Sequence, residues 1–175
     1  MTIGPEEERR GIVVIGVGNE FRRDDGIGPE VLSRLHGQAA DGVRLVASDG
    51  EPARMIEAWT GARLAVVIDA VLANPPPPAP SSPPTSASPC PGRLHRIVVD
   101  RTPTPDVHTV SSHGLGLGQS VALARALDRM PERLIVHAVE VSDVGHGVGL
   151  TPAVAAAADA LTAAVLRDLR PAAIP

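Results

Sequence analysis

Gly11-Ile12-Val13-Val14-Ile15-Gly16-Val17-Gly18-Asn19-Glu20-Phe21-Arg22-Arg23-Asp24-Asp25-Gly26-Ile27-Gly28 is an apolar run that halts in a glycine-rich loop carrying two adjacent acids. Ile12 to Val17 are all β-branched or glycine, show no polar alternation and are too few for a buried helix. They read as a strand buried on both faces. Strands of that kind build open α/β sheets, whose ligand crevices form at the C-terminal strand edge, where loops carry side chains on a rigid support. Asn19, Asp24 and Asp25 are therefore the leading candidates for a site.

Upstream, residues 1 to 10 hold three successive glutamates and no apolar periodicity, and read as a frayed terminus. Downstream, Gly28-Pro29-Glu30 opens a helix with Pro29 in its first turn, Val31, Leu32 and Leu35 inward, and an end near Gly37. Val43 to Ala47 reads as a second strand and Glu51 to Thr60 as a short helix. Ala62 to Asp69 reads as a third buried strand, again ending in a carboxylate. From Pro75 to Pro91, nine of seventeen residues are proline, a composition that cannot bury enough surface to fold and reads as a disordered insertion rather than a domain boundary. Arg93 to Val99 resumes as a strand; with no crossover helix before it, it is the candidate for an antiparallel neighbour. Ser111 to Met130 reads as a helix with Leu115, Val121, Leu123 and Leu127 inward, its effective start pushed toward Gln119 by Gly114, Gly116 and Gly118. Leu134 to Val141 is a fifth strand, and Thr151-Pro152 opens a closing helix that runs to Leu169 with Pro171 as its stop. The expectation is one domain over residues 11 to 170: a three-layer α/β/α sandwich on a five-stranded, mostly parallel sheet, phosphorylase/hydrolase-like.

Composition narrows the function. The 175 residues are 43% hydrophobic, enough for one sizeable core, and carry a net charge of −4. With Phe21 and Trp59 as the only aromatics there is neither a basic face nor a stacking platform, so nucleic acid is excluded as a partner. No stretch approaches the roughly 20 apolar residues of a membrane span, and the acidic N-terminus is unlike a signal peptide; a cytoplasmic protein with no membrane partner is expected. Cys90 is the sole cysteine, which rules out a disulfide or a cysteine-based zinc site within one chain. Set between prolines, it lacks the fixed environment that an activated thiolate needs.

Asp25 after the first strand, Asp69 at the end of the third and His113 before the long helix all fall where loops gather. Two carboxylates and an imidazole suit a divalent first-row metal such as nickel, zinc or iron with positions left open. Capping acids and a solvated histidine are the plain alternative. Gly16-Val17-Gly18 also stands where a dinucleotide-binding turn would. That fingerprint fails at its third glycine, which is Phe21, and Asp24 and Asp25 stand where a pyrophosphate wants neutral amides or a cation. His36 near a helix end and His95 on a strand read as ordinary surface positions, and His108 and His137 show no partner pattern. His146, in Gly145-His146-Gly147-Val148-Gly149, reads first as part of a turn.

Gly16-Val17-Gly18-Asn19 with Arg23-Asp24-Asp25-Gly26-Ile27-Gly28-Pro29 resembles the opening motif of the hydrogenase maturation endopeptidases. Val67-Ile68-Asp69-Ala70, Ser112-His113-Gly114-Leu115 and Gly149-Leu150-Thr151-Pro152 resemble that family's second acid-bearing strand, histidine segment and last-helix opening. The resemblance implies an endopeptidase that removes a short C-terminal extension from the large-subunit precursor of a nickel-iron hydrogenase after nickel insertion. It further implies Asp25, Asp69 and His113 as the metal-contacting and catalytic positions, with nickel carried in by the substrate. Asn19, Asp24, Asp49, Gly50 and Glu51 are the expected substrate-facing loop residues. The chain departs from the family at Ser48-Asp49-Gly50-Glu51-Pro52, where many relatives read Asp-Gly-Gly-Thr. Ser111 and Ser112 beside His113 lack the separation of a triad, so water is the expected nucleophile. Two other readings stay open at this stage: a nucleotide-binding oxidoreductase module, and a non-catalytic, metal-dependent adaptor on the precursor.

Overall fold

Strands β1 (Ile12–Val17), β2 (Arg44–Ser48), β3 (Leu64–Leu72), β4 (Leu94–Val99) and β5 (Arg133–Val141) lie in one sheet in the order β2-β1-β3-β5-β4. The computed structural model describes residues 11–72, 90–99 and 115–170. The expected frayed terminus, nearly all of the proline-rich insertion, His108, Ser111, Ser112, His113 and Pro171 lie outside them. β2, β1, β3 and β5 run parallel, and β4 is antiparallel to β5. The pairing follows from the connections: β4 follows β3 without a crossover helix among the described residues, so it runs opposite to the parallel set.

Helices α1 (Ile27–Leu35), α2 (Pro52–Trp59), α3 (Leu115–Ala126) and α4 (Pro152–Asp168) cover both faces. Ile12 and Val14 of β1, with Leu64, Val66 and Ile68 of β3, pack against Val31 and Leu35 of α1 and Leu161 and Val165 of α4. The alternate residues Val13, Ile15, Ala65 and Val67 pack against Met55, Ile56 and Trp59 of α2 and Val121 and Ala124 of α3. Because both faces of β1, β3 and β5 are covered, these strands carry continuous apolar runs rather than alternation. This is the three-layer α/β/α sandwich expected from the sequence.

Three details differ. β3 continues past Asp69 to Leu72, so that acid sits inside the strand. α3 starts at Leu115, ahead of Gln119, and ends at Ala126 rather than Met130; Asp128 takes a left-handed φ of 52° and Arg129 N–H turns back to Ala124 O. Leu123 and Leu127, expected inward, are 43% and 53% exposed. The buried stripe is instead Ser120, Val121 and Ala124; Val121 and Ala124 share a core with Met55, Ile56 and Trp59 of α2.

His137, which has no partner pattern in the sequence, is buried in β5, with Nε2 2.8 Å from Asp168 Oδ2 at the end of α4. Asp168 also accepts from the Arg96 guanidinium of β4, at 2.7 Å from the terminal nitrogen. Burial pushes the His137 imidazole below its ordinary value of 6.5, against the pull of Asp168. Burial pushes Asp168 up, but the hydrogen bonds from Arg96 and His137 outweigh it and hold the carboxyl below 3.8. Both groups bind protons more weakly folded than unfolded, so their contribution to stability is full above pH 6.5 and falls as acid titrates first the histidine and then the aspartate. The difference in urea stability between wild type and His137→Gln is expected to shift against wild type as pH falls below 6.5.

Candidate active site

The chain passes from β1 through α1 to β2 on one side, then returns through α2 to β3 on the other side of β1. The two connections diverge at the C-terminal ends of β1 and β3, which is where open α/β sheets leave a crevice. The last register pair between the two strands is Gly16 with Ile68, so the β1 side of β3 is open from Asp69 onward. A strand-borne carboxylate thus faces the gap that the end of β1 leaves.

Across it stands Asp25. After β1 the chain makes a short 3₁₀ turn, Arg23–Gly26, that leads directly into α1. Asp25 is 8% exposed, its N–H donates to Arg22 O, and its Oδ2 accepts from Asn19 N–H at 3.0 Å. Asn19 Oδ1 in turn accepts from Phe21 N–H at 2.9 Å, closing the turn. Asn19, Arg22, Asp25, Asp49, Gly50 and Asp69 line one cavity of about 360 Å³, open to solvent.

Burial raises the Asp69 carboxyl from 3.8 to about 7; the N–H of Ala70 opposes this, and the charge of Asp25 adds to it. Two carboxylates that disfavour each other's charge in one cavity suit a cationic occupant. Among the described residues no three histidine, cysteine or acidic side chains form a metal-holding group. The cavity brings Asp25 and Asp69 together, and His113 lies outside the described residues.

Asp24 faces the opposite way. It is fully buried, and its carboxylate accepts from Thr151 N–H at 2.6 Å, Thr151 Oγ1 at 3.0 Å, Asp143 N–H at 3.2 Å and Ser142 N–H at 3.4 Å. Thr151 precedes Pro152 at the start of α4 but caps nothing in its own helix, because its hydroxyl is turned to Asp24. Glu51 is likewise structural: it is the N-cap of α2, accepting from Ala53 and Arg54 N–H at 3.0 Å each. Of the five expected substrate-loop residues, Asn19, Asp49 and Gly50 line the cavity, whereas Asp24 and Glu51 hold elements in place.

The glycines around β1 set how closely the following helix packs. A Cβ on Gly16 would lie 2.6 Å from Gly28 O, and one on Gly28 would lie 2.7 Å from Val17 N. These residues let α1 lie directly on the strand end, a packing role. Gly28→Ala is expected to destabilise the protein by about 3 kcal/mol, read from urea unfolding, because backbone rather than a mobile side chain blocks the added methyl.

Two features were missed in the sequence. Arg22 lines the cavity, and the glycine-flanked loop at His146 is what holds Arg22 in place. Arg22 and Gly147 form a parallel β-bridge, with Arg23 N–H donating to Gly147 O and Gly147 N–H to Phe21 O, both at 2.9 Å. Gly147 has a φ of 144°, and a Cβ there would crowd the Arg23 guanidinium. His146 itself is exposed. The glycine spacing was visible in the sequence, but its strand partner lies more than a hundred residues upstream.

No curated protein sequence matches the chain. A family model described as hydrogenase maturation protease matches residues 86–168. Among solved structures, the hydrogenase maturating endopeptidase HybD of Escherichia coli superposes with a TM-score of 0.69 at 22% identity, over 91% of each chain. An Escherichia coli endopeptidase solved in solution gives 0.70 at 22% identity, over 91% of this chain and 92% of that one. The [NiFe] hydrogenase maturation protease HybD of Thermococcus kodakarensis gives 0.64 at 18%, over 91% and 99%. The family model thus reaches less than half of the chain, residues 86–168, while the fold is shared with these solved proteases over about nine-tenths of its length.

Proposed function

We propose that this endopeptidase removes the C-terminal extension of a nickel-loaded nickel-iron hydrogenase large-subunit precursor in the cytoplasm, with Asp25, Asp69 and His113 contacting the nickel that the precursor carries. The observation that carries the reading is the convergence of Asp25 and Asp69 in one cavity at the C-terminal edge of β1 and β3. A precursor without nickel would set its peptide against two carboxylates with nothing to offset their repulsion; a loaded one supplies the cation. Discrimination then comes from the unpaired-ligand penalty. Water is the nucleophile, and an acid of the pair takes its proton. Asp49 and Gly50 border the same cavity, which supports reading them as contacts that select the cognate precursor.

Mass spectrometry of candidate precursors, with and without nickel, tests this. Wild-type protein is expected to shorten only the loaded precursor, and Asp25→Ala and His113→Ala to leave it intact. Stable complexes with every loaded precursor but no cleavage would favour the adaptor reading. A thermal shift with NAD or ATP would favour the oxidoreductase reading.

A further inference from the structure

We infer that Arg22 is a catalytic residue whose guanidinium faces the scissile carbonyl oxygen and stabilises the negative charge it acquires; the inference rests on the peptidase reading above. Arg22 is the one basic side chain among the described residues that line the cavity with Asp25, Asp49 and Asp69. Its backbone is held on every side. Its N–H donates to Asn19 O at 3.0 Å, its carbonyl accepts from Asp25 N–H at 3.1 Å, and both neighbours are bonded to Gly147. Its side chain, by contrast, forms no ion pair among the described residues, whereas the adjacent Arg23 pairs with Asp143 at 3.3 Å. Of two consecutive arginines, one ties the loop to the β5–α4 connection and the other is left at the cavity with a rigid mount and an unengaged charge.

The cavity's charge decides what such a cation can serve. An acidic side chain of the peptide would enter against Asp25 and Asp69, with Asp49 beside them paired to Arg54 at 3.5 Å, so Arg22 is poorly placed as an anchor for a substrate carboxylate. A peptide carbonyl is neutral when it binds and becomes anionic only when water's oxygen bonds to its carbon. The C–N bond then breaks, the nitrogen leaves as an amine with the proton that water gave up, and the oxygen returns to a carboxyl group. A guanidinium carried at the cavity by that held backbone favours the middle of the sequence more than either end, which is the requirement for raising kcat.

Steady-state cleavage of nickel-loaded precursor by wild type, Arg22→Met and Arg22→Lys tests the assignment, together with titration of nickel(II) alone into each free protein. Arg22→Met is expected to lower kcat by about 100-fold or more with KM within about threefold, and Arg22→Lys to recover part of that loss, since it keeps the charge but not the fork. Arg22→Met is also expected to bind nickel(II) several-fold more tightly, because a positive charge no longer opposes the metal beside Asp25 and Asp69. A raised KM with unchanged kcat would make Arg22 a substrate anchor and overturn the inference, as would wild-type kcat and wild-type nickel affinity in the Met variant. Should that variant not fold, wild-type kcat in an Arg22→Gln protein of normal melting temperature would overturn it equally. Failure of wild type itself to cut any loaded precursor overturns the peptidase reading, and this inference with it.

Discussion

Asp69→Asn is expected to make the metal-free protein more stable at pH 8 while lowering cleavage of nickel-loaded precursor by at least about 100-fold. The Asp69 carboxyl is held at about 7 in the fold against 3.8 ordinarily, by burial and by the charge of Asp25. The folded state therefore holds this proton more tightly than the unfolded chain, so the contribution of Asp69 to stability is greatest below pH 4, falls as pH rises toward 7 and stays lowered above it. That difference corresponds to roughly 4 kcal/mol at high pH, the upper bound of what a neutral amide of the same shape would recover. Urea unfolding at pH 5 and pH 8 reads it directly: the gap between wild type and variant should widen with pH. A variant less stable than wild type at pH 8 would mean that Asp69 is not a buried charge facing another. Improved stability joined to lost activity is the mark of a site whose strain serves its function.

Asp24→Ala and Asp25→Asn, at adjacent positions, are expected to fail in opposite ways. The Asp24 carboxylate joins the β1 exit to Ser142 and Asp143 after β5 and to Thr151 ahead of α4. Its removal leaves buried N–H groups and a hydroxyl without an acceptor, at about 3–5 kcal/mol. For a chain of this size that is a fall in Tm of roughly 10–15 °C, enough to leave much of the protein insoluble. Asp25→Asn keeps an oxygen for Asn19 N–H and is expected to melt within a few degrees of wild type, yet to lose cleavage. Thermal unfolding and precursor cleavage measured on the same two preparations separate the outcomes; equal melting temperatures would show that Asp24 is not a structural tie.

Much of the architecture was legible because the physics that sets it is local. Continuous apolar runs at Ile12–Val17 and Leu64–Ile68 read as strands covered on both faces, and Pro29 and Pro152 mark helix openings wherever the rest of the chain lies. The α3 face was not legible. Its leucines lie on more than one side, and only the approach of the sheet and α2 decides that Val121 and Ala124 are buried while Leu123 and Leu127 are left in solvent.

The site divides along the same line. Acids at the exit of β1 and on β3 follow from the sequence together with the rule that crevices open at C-terminal strand edges. Which acid enters the crevice does not. Asp24 and Asp25 are identical residues in one 3₁₀ turn, where successive side chains point about 120° apart. One meets the amides of residues more than a hundred positions away, and the other meets the cavity shared with Asp69. Composition and periodicity determined the sheet, its helices and the edge at which chemistry gathers. Only tertiary packing, which brings the loop after β5 and the start of α4 against the exit of β1, decided that Asp24 holds the loop, that Asp25 lines the cavity, and that Arg22 borders it with no ion pair among the described residues.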